Sequence, residues 1–148
     1  MNHLTVDAAG RAFLTKEEGE ILHTYKDAGG VLTMGVGHTG PDVYPASTLT
    51  HEASQRLLTQ DLARFEAAVH RLVRVALNQS QFNALVSFAF NLGAGALQKS
   101  SLLRLVNAGS QDAAALTAAF KLWRNVNGQP NRAIEARRGR EAALFLSH

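Results

Sequence analysis

One short segment of this 148-residue chain departs from helical patterning and limits the folds that the chain can adopt. Asp27-Ala-Gly-Gly is strong turn chemistry, and residues 31–38 are rich in β-forming side chains with glycine at alternate positions. Gly35 and Gly37 predict a hairpin or small sheet where another group approaches the backbone closely. One small β element among helices predicts an α+β fold that is mostly helical.

Helical periodicity dominates the rest of the chain. Apolar residues recur at three- and four-residue spacing from 5 to about 24, which predicts a first helix. Thr50 is predicted to cap a long second helix that continues toward Leu77. Three further helices are predicted at 78–93, 97–107 and 110–125, the last of them capped by Ser110. A loop at 127–130 follows, and a final helix is predicted from there to Leu146.

This element order predicts one domain over 1–148, built from two lobes. The N-terminal lobe takes in about 12–60 and holds the β element. The long helix joins it to a helical lobe at about 61–148, which also takes up the N-terminal segment. A chain of this length is enough for one domain with a real core, and clefts between such lobes are common ligand sites.

Composition excludes several classes of function. The chain has no cysteine, so disulfides and thiolate metal sites are excluded, and its six histidines lack metal-ligand spacing. We expect neither a secretion signal at residues 1–11 nor a membrane span. The net charge of +3, much of it at 132–140, favours polyanionic partners or is simply a solvated helix face.

Two carboxylates near a sharp turn are the minimum apparatus for hydrolysing a glycosidic bond, since one must donate a proton and the other must stay ionised. Glu18 ends an apolar helical face and suits the protonated role, because partial burial disfavours the charged form. Asp27 enters a glycine-rich turn and would stay ionised. The Thr33 hydroxyl is placed to hold a water beside Asp27.

From the residues alone, these assignments have alternatives. A glutamate on a helix and an aspartate before glycine are also ordinary structural features. Glu20 lies about 200° around a helix from Glu18 and should point elsewhere, whereas Glu17 is not separated from Glu18 by such an argument. His38 could be a general base, but a structural hydrogen-bonding role is favoured.

The string from Glu18 to His38 resembles the active-site stretch of the phage-type lysozymes, glycoside hydrolase family 24. That family shows Glu-Gly, then Tyr-x-Asp, then Gly-x-x-Thr-x-Gly-x-Gly-His, and this chain matches it in one register, with nine residues from Glu18 to Asp27 and six from Asp27 to Thr33. The resemblance implies that Glu18, Asp27 and Thr33 form the catalytic triad, with Gly35 and His38 in support.

Looser resemblance extends over nearly the whole chain and implies a lysozyme-like fold. Leu57-Leu-x-x-Asp61 resembles the family's interlobe helix, and 81–93 resembles its cleft-lining helix, where Asn91 would contact a sugar. In the family, an arginine near the C-terminus pairs with the catalytic glutamate. Two arginines are candidates for this role. Arg132 is favoured by the motif Pro130-Asn-Arg132, and Arg137, which we prefer slightly, is favoured by the motif Arg137-Arg138-x-x-Glu141.

The resemblance implies a muramidase that cleaves the β-1,4 bond between N-acetylmuramic acid and N-acetylglucosamine of peptidoglycan by an inverting mechanism, without a cofactor. It also implies a monomer that stays in the host bacterial cytoplasm until it is released to the periplasm and cell wall. An inverting enzyme holds its carboxyls roughly 6.5–9.5 Å apart. The alternatives are a lytic transglycosylase, a catalytically inactive cell-wall-binding protein, and a nucleic-acid-binding protein that uses the arginines at 132–140, which we do not expect.

Overall fold

The computed structural model describes residues 3–147, so both ends of the predicted 1–148 domain (Met1, Asn2 and His148) lie outside the described residues. Helices predominate and the strands are short, which confirms the predicted α+β fold. In chain order the elements are α1 (Ala8–Glu18), β1 (Ile21–Lys26), β2 (Leu32–Gly35), α2 (His51–Leu72), α3 (Gln79–Leu92), α4 (Ala94–Lys99), α5 (Ser101–Asn107), α6 (Ala113–Lys121), β3 (Asn125–Val126), β4 (Gln129–Pro130) and α7 (Arg132–Leu146).

The chain divides into two compact units. The hairpin unit comprises residues 11–64, and the helical unit comprises the segment up to Gly10 together with everything from Phe65 onward. Helix α2 contributes residues to both units. The helical unit is therefore assembled from two pieces of chain that are far apart in sequence.

Gly19 ends the first helix, and the prediction of a helix as far as residue 24 was wrong. Gly19 has a φ of +77°, which favours glycine, and its N–H donates to the Thr15 carbonyl at 2.8 Å. The chain then enters β1, which pairs with β2 in antiparallel register, Tyr25 opposite Thr33. The apolar spacing at Ile21–Tyr25 suits either element, and the glycine decides between them.

The other edge of β1 is covered by residues 47–49. His23 pairs with Thr48, and the Thr24 N–H donates to the Ser47 carbonyl at 2.9 Å. Strand β1 is thus hydrogen-bonded on both sides, which fixes the orientation of its side chains. Below it, the core of the hairpin unit consists of Leu14, Met34, Val36, Val43, Leu58 and Leu62.

Thr50 caps α2 as predicted, since its Oγ1 accepts from the Ala53 N–H at 3.1 Å. The helix ends at Leu72 rather than near Leu77. The Asn107 side chain terminates it, donating to the Leu72 carbonyl at 3.0 Å and accepting from the Arg74 N–H at 2.7 Å. A side chain 35 residues away in sequence sets this end, so local pattern could not predict it.

Four side chains of the helical unit bind the extended segment before α1. From α2, Glu66 accepts from the Val6 N–H at 2.7 Å and His70 bonds the Leu4 carbonyl at 2.7 Å. From α3, Gln79 donates to the Thr5 carbonyl at 2.8 Å and Asn83 to the Asp7 carboxylate at 2.9 Å. These bonds explain why the N-terminal segment belongs to this unit.

Helix α3 forms the centre of the helical core, with every residue from Phe82 to Ala89 buried. Asn78 caps it through a capping box with Gln81, and Gly93 follows its last turn, as predicted. Aromatic rings link it to its neighbours. Phe88 meets the Phe120 ring edge-on at 5.8 Å between centroids.

Three other boundaries of the helical unit differ from prediction. The helix predicted at 97–107 is two helices, because Ser100 ends α4 by bonding the Leu97 carbonyl and caps α5. Asp112, not Ser110, caps the next helix, α6. The predicted loop at 127–130 is the β3–β4 hairpin, whose turn residues Asn127 and Gly128 have φ values of +52° and +78°.

Over the described length of the chain, no helix combines the length and the apolar character that crossing a membrane requires.

Candidate active site

Glu18 is the last residue of α1, and its carboxyl group lies against the turn that follows β2. A Cβ atom built on Gly37 would come within 2.9 Å of Glu18 Oε1. Gly37 also has a φ of +65°, so both the space and the backbone conformation require glycine. The close approach that the sequence predicts at this glycine is therefore the approach of Glu18.

Backbone hydrogen bonds and a close contact both restrict the turn from Met34 to His38. Met34 and His38 exchange backbone hydrogen bonds of 2.9 and 2.8 Å. Gly35 has a φ of +65° and would place a Cβ atom 3.1 Å from the Oγ of Ser54, which is fully buried. The turn that carries Gly37 is consequently rigid, and it offers Glu18 a defined backing.

Asp27 organises the loop between the two strands. Its Oδ1 accepts from the N–H groups of Gly29 and Val31 at 2.8 and 2.9 Å, and its own N–H donates to the Val31 carbonyl at 2.9 Å. These bonds fix the orientation of the Asp27 carboxyl group. Within residues 3–147 they engage Oδ1 only, so Oδ2 of this exposed side chain is available to a water.

Thr33 lies in β2 and is buried, with 3% of its surface exposed. Its Oγ1–H donates to the Val31 carbonyl at 2.9 Å, the same residue whose N–H binds Asp27. Because the hydroxyl proton is committed, the oxygen faces any incoming water as an acceptor.

Tyr25 reports electrostatically on both carboxylates. Burial raises the pKa of its hydroxyl above the ordinary value of 10.0, and the negative charges of Glu18 and then Asp27 raise that pKa further. The two carboxylates therefore share one neighbourhood in the hairpin unit. Tyr25 was not among the predicted site residues, although it lies within the motif from Glu18 to His38. Its position two residues before Asp27 would have placed both side chains on one face of a strand. This inference was not possible because residues 21–24 were predicted to be helical.

Glu20 belongs to a separate network. Its Oε1 bonds His51 Nδ1 at 2.7 Å, and its Oε2 accepts from Gln55 at 2.9 Å. Burial raises the pKa of this carboxyl, but the hydrogen bond from Gln55 and its neighbours lowers the pKa more, to below 4.5. Glu20 is therefore an ionised structural residue and a poor proton donor. Glu17 is still distinguished from Glu18 only by the family register.

Both ring nitrogens of His38 are hydrogen-bonded to carboxylates. Nδ1 lies 2.7 Å from Asp61 Oδ2, and Nε2 lies 2.9 Å from Asp42 Oδ1. Burial lowers the pKa of the ring, but the bonds and charges of Asp61 and Asp42 raise it more, so the pKa lies above 6.5. An imidazolium with both nitrogens engaged has no lone pair with which to act as a base, which supports the structural role.

The stabilising contribution of His38 should depend on pH. Because its folded pKa is raised, this contribution is complete below the unfolded pKa of about 6.5 and is lost as the pH rises through the folded value. We expect His38→Asn to lower the free energy of unfolding by more at about pH 6 than at about pH 9, as measured by urea denaturation. His3→Asn, at an exposed position, is the control, and an equal loss at both pH values would contradict this assignment.

Two arginines of α7 share one buried carboxylate within the helical unit. Arg137 Nε lies 3.2 Å from Glu141 Oε2, and Arg138 Nε lies 3.1 Å from Glu141 Oε1. Ser87 donates to the same carboxylate at 2.5 Å. Arg138 also donates to the Asn91 amide oxygen at 2.5 Å. Glu141, like Tyr25, was not among the predicted site residues, although its spacing from the two arginines was visible.

The basic stretch at 132–140 is thus partly internal. Arg137 and Arg138 are buried, whereas Arg132 is exposed in the first turn of α7. The pairing of Arg132 or Arg137 with Glu18 stays a prediction. In the part of the chain that the structure describes, no group of three His, Cys, Asp or Glu side chains is placed to hold a metal ion.

Comparison with known proteins places this geometry in a family. The sequence matches the phage lysozyme family over residues 15–141. It is 43% identical to the endolysin of Salmonella phage P22, over 97% of this chain and 99% of that protein. The structure is similar to that of a mutant P22 lysozyme, with a TM-score of 0.85 and 42% identity over 97% and 99% of the two chains. It is also similar to the muramidase domain of SpmX from Asticaccaulis excentricus, with a TM-score of 0.86 and 33% identity over 97% and 99%.

This chain therefore belongs to the phage lysozyme family. It is a lysozyme-type glycoside hydrolase, and the family acts on peptidoglycan. The fold, the hairpin with its two carboxylates and the family match agree with one another, and the lysozyme-like fold predicted from the sequence is confirmed.

Proposed function

We propose that this chain lyses bacteria by hydrolysing the β-1,4 bond between N-acetylmuramic acid and N-acetylglucosamine with inversion at the anomeric carbon. The observation that carries the proposal is the arrangement in the hairpin unit. Glu18 lies against Gly37, Asp27 is held by two backbone N–H groups, and the Thr33 oxygen is left as an acceptor. The endolysin relatives support cell lysis as its outcome.

Glu18 acts as the general acid. Its side chain is half-buried and its carboxyl packs on the glycine backbone, which holds the proton donor in a defined position beside the turn. It gives its proton to the glycosidic oxygen as the bond to the anomeric carbon breaks. Glycine at position 37 also lets the glycan lie close to the backbone there.

Asp27 and Thr33 position the water. One water hydrogen binds Asp27 Oδ2, and the other binds Thr33 Oγ1, whose own proton is committed to Val31. This leaves a lone pair of the water directed at the anomeric carbon, on the face opposite the leaving oxygen. As the new C–O bond forms, Asp27 takes the proton of the water. The product has inverted configuration, and the negative charge has moved from Asp27 to Glu18.

Residues of the helical unit are proposed to support this chemistry. Arg138 occupies the amide oxygen of Asn91, so the Asn91 N–H groups remain as donors for a sugar. An arginine pairs with Glu18. Arg132 and Arg137 are the two candidates for this pairing, and Arg137 is the one we propose.

We further propose that the enzyme acts as a monomer, has no nucleic-acid partner, and stays in the host cytoplasm until release to the cell wall. The endolysin relatives support the cell wall as the place of action. Burial of Arg137 and Arg138 removes two charges from the surface that a nucleic acid would need, which argues against the nucleic-acid-binding alternative.

The products of purified peptidoglycan test the proposed reaction. We expect fragments with reducing N-acetylmuramic acid ends by mass spectrometry, and the α-anomer first by NMR, because water attacks opposite the leaving group. Asp27→Asn should form neither product. Anhydro-muramic ends would indicate a lytic transglycosylase, early β-anomer would indicate retention, and binding without cleavage would indicate an inactive cell-wall-binding protein; each would overturn the proposal.

A further inference from the structure

We propose that Tyr25 is a positioning residue of this active site, whose hydroxyl turns during the reaction to donate a hydrogen bond to the carboxylate that carries the negative charge, first Asp27 and, after bond cleavage, Glu18. The inference rests on the proposed function, because it assigns a role within that reaction. It concerns a side chain that the catalytic steps derived above do not use.

The strand geometry places Tyr25 beside the water-holding pair. Tyr25 is the direct cross-strand partner of Thr33, and directly opposed residues point to the same face of an antiparallel pair. Asp27 follows two residues later, directly after β1 ends at Lys26. Its N–H bond to the Val31 carbonyl continues the pairing of the two strands, and residues two apart on an extended chain share a face. The ring of Tyr25 therefore lies on the face of the hairpin that presents Thr33 and Asp27.

Glu18 approaches the same hairpin through the turn. Its carboxyl rests on Gly37, four residues beyond Thr33 and two residues after the end of β2. The negative charges of Glu18 and Asp27 both act on the Tyr25 hydroxyl. Lys26, the other charged neighbour on β1, is exposed and points to the opposite face.

The Tyr25 hydroxyl suits the role of a neutral donor. Two nearby anions disfavour its ionisation, so it keeps its proton throughout the working pH range. Among the described residues it has no hydrogen-bond partner, which leaves the donor free to turn toward either carboxylate. Since the charge moves from Asp27 to Glu18 in each turnover, one donor between them can stabilise both states.

The chain makes a direct spectroscopic test possible, because it contains two tyrosines. Tyr44 is 64% exposed, and Tyr44→Phe leaves Tyr25 as the one phenol. We expect alkaline absorbance titration of this variant to give a midpoint above about 10. Adding Glu18→Gln or Asp27→Asn should each lower the midpoint, because each removes one of the negative charges that raise the pKa of Tyr25. Glu20→Gln removes an equal charge from a different network and should leave the midpoint unchanged.

An unmoved midpoint in both carboxylate variants would overturn the inference. Circular dichroism monitors the fold at each pH. If alkali unfolds the protein, difluorotyrosine, whose phenol ionises at lower pH, is incorporated instead. The measurement needs no substrate, so its failure is distinguishable from failure of the proposed function, which would appear as loss of peptidoglycan cleavage by the parent enzyme.

A kinetic test separates positioning from structure. We expect Tyr25→Phe to lower kcat by about 10-fold to 100-fold with little change in KM, as befits a lost bond to a charged group. The pH profile of kcat/KM should shift upward on its acidic limb, because the ionised carboxylate loses a donor. A variant with unchanged kcat and an unshifted profile, or one that loses activity only through lower stability, would contradict the role.

Discussion

Glu18→Gln should lower the lytic activity by about 10²-fold to 10⁴-fold, the range that a general acid typically contributes. The amide keeps the size of the side chain and its contact with Gly37, but it has no acidic proton for the glycosidic oxygen. Turbidity clearing of permeabilised bacteria, calibrated with purified peptidoglycan, measures the loss. The free energy of unfolding should change little, because the site is half-buried and the substitution is nearly isosteric.

Glu20→Gln is the matched control for this prediction. It lies two residues away and loses the same charge, but its partners are His51 and Gln55. We expect it to clear peptidoglycan nearly as well as the parent while losing some stability. Equal clearing by Glu18→Gln and the parent would refute the assignment of Glu18, and a large loss in Glu20→Gln alone would move the acid to that residue.

Glu141→Gln should lower the free energy of unfolding by about 3–5 kcal/mol, the usual cost of removing one partner from a buried ion pair. Glu141 is fully buried, and Arg137 and Arg138 are nearly so. Burial raises the pKa of the Glu141 carboxyl, opposed by the charges of Arg138 and Arg137. The amide would remove the negative charge that the two buried guanidinium groups share. Urea denaturation at neutral pH measures the effect.

Glu135→Gln supplies the control on the same helix. Glu135 Oε2 lies 3.8 Å from Arg124 Nη1, and the two side chains are 39% and 42% exposed. Because solvent screens this pair, we expect the free energy of unfolding to change by about 0–1 kcal/mol. Similar small changes in both variants would show that Glu141 is not the counter-charge of the two arginines.

Local patterns predicted those parts of the fold that local chemistry determines. Asn78 and Thr50 were recognisable as the starts of helices, because a capping side chain bonds the backbone within three residues. The region of the site was predictable for a similar reason. The turn at Asp27 and the positive φ values of Gly35 and Gly37 depend on residue types that can be read directly from the sequence.

Other features depend on residues that are distant in sequence. The bonds of His38 to Asp61 and of Arg137 to Ser87 span 23 and 50 residues, and no spacing rule reveals such pairs. Between Ile21 and Tyr25 the sequence was ambiguous, because the same apolar residues suit a helix or a strand. The left-handed conformation of Gly19 resolves the ambiguity. This conformation could not be predicted, because an isolated glycine inside a helical pattern can also continue the helix.

The hydrogen bonds that hold residues 4–7 to α2 and α3 have a consequence for synthesis on the ribosome. The hairpin unit is continuous, so all of its residues are translated before most of the helical unit is made. The helical unit uses chain from both sides of the hairpin unit. Residues 4–7 must wait for Gln79 and Asn83 before they can be bound, and Ser87 on α3 must wait for Glu141 on α7. The order of translation therefore delays completion of the helical unit until α7 has been made.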